Sequence, residues 1–207
     1  MQITLADAGK RFNRDWIFKS LNYTFLPGNA YAVIGNNGSG KSTLLQTISG
    51  ATELSTGQCT WSKSTTKIST ENVFRYMAIA APSLELVEEM TAMEFLHFHS
   101  VFKPFVAGRT IKEILELVQL PQAANKQIRY FSSGMKQRIK LAQAIFSDVP
   151  VLLLDEPCTN LDRSGYDLYH QLIQDFCKEK LIIVSSNDEE EYFFCTQKID
   201  IRDYKIN

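Results

Sequence analysis

Apolar residues recur along this chain with two different periods, and the switches between them outline a set of short elements. Ile3 to Leu5, the alternating Leu21 to Phe25, and the run Ala30 to Ile34 after the turn pair Pro27-Gly28 read as strands. The last of these is apolar throughout, as a strand buried on both faces is. Lys41 to Ser49 then read as a helix with Leu44, Leu45 and Ile48 on one face, and Gly50 stands where a helix ends. Strand-like stretches follow at Gln58 to Trp61 and Phe74 to Ala80. From Thr91 to about Phe131 the spacing becomes helical, through Met93, Phe95, Leu96 and Phe98 and then Ile111, Ile114, Leu115 and Val118. A helix from about Ser133 to Phe146, a strand from Val151 to Leu154, a further helix, a strand from Leu181 to Val184 and a short C-terminal tail complete the pattern.

Strands alternating with helices imply an α/β fold with a mainly parallel sheet. Short strands at the N-terminus form a β lobe before it, and residues from about 85 to 135 form an inserted helical lobe. No internal repeat or long flexible linker divides the chain, so residues 1–207 are expected to fold as one domain. With 44% hydrophobic residues, a core of that size is readily filled.

Charge removes one class of partner. Lysine and arginine number 22 against 23 acidic residues, and no basic stripe interleaved with aromatics occurs, so nucleic acid is not an expected partner. The four cysteines are scattered without a CxxC pair and read as reduced thiols. The N-terminus lacks the apolar core of a signal peptide, and the longest apolar runs, VPVLLL and LIIV, are strand-sized. Direct membrane insertion is therefore not expected, and the chain is placed in the cytoplasm or, held there by a partner, at the cytoplasmic face of a membrane.

The chemistry begins at Gly35. The segment Gly35, Asn36, Asn37, Gly38, Ser39, Gly40, Lys41, Ser42, Thr43 matches G-x-x-x-x-G-K-[ST] directly after a predicted strand and before a predicted helix. Glycines there let successive backbone N–H groups approach phosphate oxygens, and the helix N-terminus adds a favourable field. Lys41 is placed to meet the β and γ phosphates, the Ser42 hydroxyl to take a magnesium position, and Thr43 to support the α phosphate. A second motif agrees with the first. The apolar strand VPVLLL ends in Asp155 and Glu156, where Asp155 can reach the magnesium shell and Glu156 can orient or deprotonate an attacking water.

Phe131 to Arg138 read FSSGMKQR, which resembles the LSGGQ signature of ATP-binding cassette (ABC) proteins, with Ser132 and Gly134 kept and Ser133 and Met135 substituted. Ser132 stands 23 residues before Asp155, a spacing similar to that of the family, and Leu161-Asp162 follow as in its LDE-P-x-x-x-LD pattern. The motifs span residues from about 10 to 190, so the resemblance covers nearly the whole chain. It implies a phosphate-loop NTPase core of the ABC ATPase fold that binds ATP and magnesium. It also implies two subunits facing head to tail, in which Ser132, Ser133 and Gly134 of one complete the ATP site of the other and Asp162 lies at the seam. An ordinary helix N-cap is the competing reading of Ser132. The family's adenine-stacking aromatic maps best onto Phe12, with Trp16 as the second choice. A transmembrane permease subunit is the further partner that the resemblance implies, and the segment LELVEEM around Glu85 to Glu89 is a candidate surface for it.

Two positions depart from the family's pattern. No glutamine occurs between Gln58 and Gln119, so the one that usually reports on magnesium and water is missing, with Ala81 at its place. The usual switch histidine is also absent: the segment reads VSSND, and Asn187 stands there. An asparagine amide can donate to a phosphate but cannot become cationic. The expectation is an ATPase subunit of an ABC transporter that closes on ATP and turns over slowly alone. A soluble regulatory ATPase or nucleotide switch, acting on a cytoplasmic protein, is the alternative. A nucleotide kinase or GTPase would leave the FSSG segment and Leu161-Asp162 without a purpose.

Overall fold

A computed structural model describes residues 1–205. Two sheets organise it. The first is antiparallel and is built around a long hairpin, β1 (Gln2–Phe12) and β2 (Asp15–Phe25), flanked by β4 (Thr56–Lys63) and β5 (Thr66–Ile68) in the order β2-β1-β4-β5. The second is parallel: β3 (Ala30–Ile34), β6 (Met77–Ala80), β7 (Val151–Asp155), β8 (Leu181–Ser185) and β9 (Gln197–Asp200), in the order β6-β7-β8-β3-β9. The fold is the expected α/β arrangement with an N-terminal antiparallel lobe.

The reason the central strands are apolar throughout is visible in what each face meets. Val151 and Leu153 of β7, Leu181 and Ile183 of β8 and Tyr31 and Val33 of β3 pack with helix α1 (Lys41–Ile48) and the antiparallel sheet, through Leu44, Leu45, Ile48, Phe18 and Phe25. Their alternates Leu152, Leu154, Ile182, Val184 and Ala32 face the opposite layer. There they meet α4 (Ser133–Ile145) and α5 (Arg163–Phe176) through Ile139, Leu168 and Leu172. Burying each such side chain stabilises the fold by about 1.5–3 kcal/mol, so the strand ends are held by packing on both sides.

Between β6 and β7 lie α2 (Ala92–Phe102) and α3 (Ile111–Leu117). Both begin with a capping box, in which Thr91 and Glu94, and again Thr110 and Glu113, satisfy each other's first-turn N–H groups. The continuous helical reading from Thr91 to Phe131 is thus replaced by two short helices and two 3-10 turns, Pro121–Ala123 and Ile128–Tyr130. Pro104 and Gly108, with its φ of +79°, lie in the break between the helices.

Three other boundaries move. Phe74 to Ala80 is a strand only from Met77; Thr70–Tyr76 is a 3-10 turn whose Phe74 ring is exposed, so its apolar residues are not a strand face. The first two strands are each 11 residues long, extended by polar positions such as Lys10 and Lys19. The C-terminal tail adds the edge strand β9 beside β3, and of its four residues only Ile199 is buried.

Candidate functional site

The loops that leave the C-terminal ends of β3, β7 and β8 meet at one edge of the parallel sheet, the edge where α/β proteins gather ligand-binding residues. After β3 the chain turns through Gly35, Asn36, Asn37, Gly38, Ser39 and Gly40 into α1. Gly40 has a φ of +108°, and a Cβ built on it would lie 2.3 Å from Cγ2 of Ile17 in β2. A Cβ on Gly35, at φ +144°, would stand 2.7 Å from the Ser39 hydroxyl. Glycine at these two places lets the loop wind tightly against the hairpin while its peptide groups stay available.

Lys41 is 5% exposed, and its ammonium folds back onto the loop, donating to the carbonyls of Gly35 at 2.9 Å and Asn36 at 3.4 Å. One residue on, the Ser42 hydroxyl donates to Oδ1 of Asp155 at 3.0 Å, joining the start of α1 to the end of β7 across 113 residues of sequence. Thr43 follows in the first turn of the helix.

Glu156 follows Asp155 in a left-handed conformation, φ +43°, with its N–H donated to the Ser185 carbonyl at 2.9 Å. Asn187, just past β8, donates its amide to Oδ1 of Asn37 at 2.8 Å. Asn37, Glu156, Asn187 and Asp188 line one polar cleft, which also holds Glu191. Ala81, the residue after β6, borders a separate apolar groove with Ser42 and Asp155. The Lys140 ammonium on α4 donates to the carbonyls of Ala81 at 3.3 Å and Pro82 at 2.9 Å.

The remaining sequence candidates lie elsewhere. Ser132 is the N-cap of α4 and accepts the Met135 N–H at 3.3 Å. Ser133 lines a different cleft with Glu85, Glu88 and Lys136, and Gly134 sits where a Cβ would come within 3.1 Å of the Asn160 carbonyl. Asp162 caps α5, accepting from the Ser164 hydroxyl and the Gly165 N–H; these bonds hold its carboxyl below the usual range. Phe12 lies at the exposed end of the hairpin, 49% accessible, with the Lys10 ammonium 4.8 Å from its ring centre; Trp16 is nearby in β2. Ile17 of the same strand touches Gly40, so this hairpin end adjoins the phosphate loop.

Two buried residues of this region carry no signal in the sequence reading. Gln137 of α4 is 3% exposed and donates to the Pro157 carbonyl at 2.6 Å. Glu191, 4% exposed, accepts the Cys158 N–H at 2.7 Å. Gln137 falls inside the FSSGMKQR segment, whereas Glu191 ends an acidic run, Asp188 to Glu191, whose other members are exposed.

Two hydroxyls test whether the site suits a phosphate and a cation. Ser39 Oγ in the loop and Ser185 Oγ, opposite Asp155 in the β7/β8 register, are buried without a hydrogen-bond partner. Unpaired buried hydroxyls beside a glycine loop and an acid fit an anionic ligand with its counter-ion.

Fold and site together define a phosphate-loop ATPase. Comparison with known proteins narrows this class. Residues 18–159 match the family model described as ABC transporter. An uncharacterized ABC transporter ATP-binding protein, YybJ of Bacillus subtilis strain 168, is 29% identical over 91% of this chain and 87% of its own length. The cytochrome c biogenesis ATP-binding export protein CcmA of Xylella fastidiosa is 33% identical over 76% of this chain and 70% of its own. Among solved structures, a dimeric bacterial ABC transporter cassette superposes with a TM-score of 0.82 at 21% identity, covering 96% of this chain and 94% of that one. The last likeness concerns the fold. The chain belongs to the ABC transporter family, as an ATP-binding and ATP-hydrolysing subunit.

Proposed function

We propose that the chain binds ATP with magnesium, closes head to tail on a second copy of itself, and uses closure and hydrolysis to move a transmembrane permease subunit at the cytoplasmic face of the membrane. The hydrogen bond between Ser42 and Asp155 carries this reading, because it brings together the two groups that would hold magnesium at the mouth of the phosphate loop. Bound there, magnesium would neutralise charge on the phosphate oxygens.

The roles of the chain's own residues follow from their places. Gly35 to Thr43 cradle the phosphates, and Lys41 exchanges two loop carbonyls for phosphate oxygens, so the ammonium is already desolvated when ATP arrives. Glu156 takes the proton of the attacking water, and Asn187 leaves Asn37 to donate to the γ phosphate. Ser132, Ser133 and Gly134 serve the second copy; Ser133 lines a cleft separate from the one that holds Glu156 and Asn187, and Asp162 stands at the seam. Phe12 lies under the adenine. Residues from about 85 to 135 act as a lobe of a single domain. The permease rests against the apolar groove of about 590 Å³ bordered by Phe74, Leu84 and Ala81, next to the LELVEEM segment. Among the described residues no helix is long and apolar enough to cross a membrane.

A regulatory ATPase acting on a cytoplasmic protein is the second reading, favoured by Ala81 and Asn187, where neither side chain can supply the usual ligand or proton. Recovery of the chain with membranes from its native cell distinguishes the two, since only the transporter subunit is expected there.

Light scattering at millimolar ATP and magnesium tests the cycle. Glu156→Gln is expected to trap a dimer while the wild type stays mostly monomeric. A Glu156→Gln variant that binds ATP and remains monomeric overturns the head-to-tail closure.

A further inference from the structure

The turn after β7 carries Glu156, and its backbone is strained. At φ +43° a glutamate stands in the left-handed region, at a cost of about 1–3 kcal/mol that the surroundings must offset. Two side chains from distant elements grip the residues that follow. Gln137 of α4 donates to the Pro157 carbonyl at 2.6 Å, and Glu191 accepts the Cys158 N–H at 2.7 Å on Oε1. Glu191 belongs to the 3-10 turn Glu189–Glu191, which begins two residues after Asn187. It is anchored in its own right: its carbonyl accepts the Tyr169 hydroxyl of α5 at 2.7 Å.

A carboxyl that is 4% exposed is costly to bury without a cation, and none of the ion pairs among the described residues includes Glu191. A neutral side chain of the same shape would fill the place more cheaply. What the acid provides, and a neutral isostere does not, is an acceptor that can ionise, bonded to the Cys158 peptide two residues from Glu156.

We propose that Glu191 is a positioning residue for hydrolysis, which holds the strained turn through the Cys158 peptide so that Glu156 stays aimed, and ties that turn to the Asn187 segment. The proposal rests on Glu156 being the base of the reaction.

The electrostatics of the place make the clamp respond to pH. Burial pushes the Glu191 carboxyl up to about 7; the Ser186 hydroxyl and the Cys158 N–H oppose this, and the negative charges of Asp188 and Glu156 add to it. The other titratable groups facing it are Cys158 and, from α5, Tyr166 and Tyr169, all of them raised chiefly by burial. Glu190 beside it is paired with Arg163. Arg163 is thus engaged by Glu190, and none of the groups that shift the Glu191 carboxyl is a cation. An ionised acceptor bonds an N–H roughly twice as strongly as a neutral one, so the grip on Cys158 tightens as pH rises through about 7 and slackens below it.

The test compares wild type, Glu191→Gln and Glu191→Ala in ATP hydrolysis between pH 6 and 8, with amide hydrogen exchange of residues 157–160 as a second readout. Wild-type kcat is expected to fall as pH drops through about 7 while KM for ATP changes by less than about twofold, because the phosphate loop is untouched. Glu191→Gln, whose amide oxygen still accepts, should lose that step and sit at the wild type's low-pH rate throughout. Glu191→Ala should lower kcat about ten- to a hundredfold at pH 8, as small misplacements of a catalytic group do, and speed exchange in the turn. If Glu191→Ala does not fold, the Glu191→Gln profile decides alone. Identical pH profiles in wild type and Glu191→Gln overturn the proposal, as does unchanged exchange in a folded Glu191→Ala. Absence of any hydrolysis by the wild type would instead strike at Glu156 as the base, and the exchange measurement would still decide whether Glu191 holds the turn.

Discussion

Gly40→Ala is the sharpest perturbation of the phosphate loop, because the structure separates its two penalties. The first is conformational: at φ +108° a residue with a Cβ is strained by about 1–3 kcal/mol. The second is steric. The new methyl would lie 2.3 Å from Cγ2 of Ile17, well inside the ~3.5 Å at which carbon atoms begin to attract. Forcing the two apart is overpacking, for which about 1–3 kcal/mol is usual. The sum, about 2–6 kcal/mol, corresponds near its middle to a fall in Tm of roughly 8–16 °C for a chain of this size. Ile17→Ala removes the steric part and leaves the conformational part. A double-mutant cycle in chemical denaturation should therefore return a favourable coupling of about 1–3 kcal/mol between the two substitutions. ATP affinity should weaken at least about tenfold in Gly40→Ala and recover in part in the double variant, since the loop proposed to cradle phosphate is what moves. A Gly40→Ala protein melting within about 2 °C of wild type, or a coupling under about 0.5 kcal/mol, would show that the hairpin does not press on the loop and refute the reasoning.

Other consequences follow from the same braces. Gln137→Leu removes the donor to a buried carbonyl of Pro157 and should destabilise the fold by about 1–3 kcal/mol in urea titrations, with ATP affinity nearly unchanged. Ala81→Gln combined with Asn187→His restores the two side chains that the family's pattern carries; steady-state ATP hydrolysis should rise by about tenfold or more, in the range of a general acid–base contribution. No gain in the double variant would mean that these two positions do not limit turnover.

The place of the glycine loop between strand and helix, the strand-end position of Asp155 and Glu156, and the starts of α1 and α4 were legible because each is a local matter. A glycine pattern between an apolar strand and an apolar-faced helix has few other solutions, whereas the capping box Thr110-x-x-Glu113, which splits the helical stretch in two, went unread under continuous apolar spacing. Strand β9 escaped because an edge strand needs few apolar residues, and here only Ile199 points inward. The hairpin's full length escaped because Lys10, Arg11 and Lys19 face solvent along it. Glu191 escaped for a stronger reason. Nothing in Asp188 to Glu191 distinguishes the last acid from its exposed neighbours; its burial is decided by Tyr169 and by the Cys158 peptide, 22 and 33 residues away. Sequence periodicity reports which face a residue takes, not which distant peptide it must satisfy.

What links the loops of the site is therefore not their own sequence. Each is fastened by a side chain from another element: Ser42 to Asp155, Asn37 to Asn187, Pro157 to Gln137, Cys158 to Glu191, and Ala81 with Pro82 to Lys140. Three of these braces end on backbone, so they fix where a loop lies whatever side chain it carries. Two of them, from Gln137 and Lys140, start on the helix whose N-terminus presents Ser132 to Gly134. Through them α4 is joined both to the Glu156 turn and to the segment entering the helical lobe. Ala81 offers no side-chain ligand, while its carbonyl and that of Pro82 remain tied to α4 through Lys140. Binding and closure are thus expected to outlast fast turnover in this chain, because these braces are intact while Ala81 and Asn187 cannot supply the ligand and the proton of the family's pattern.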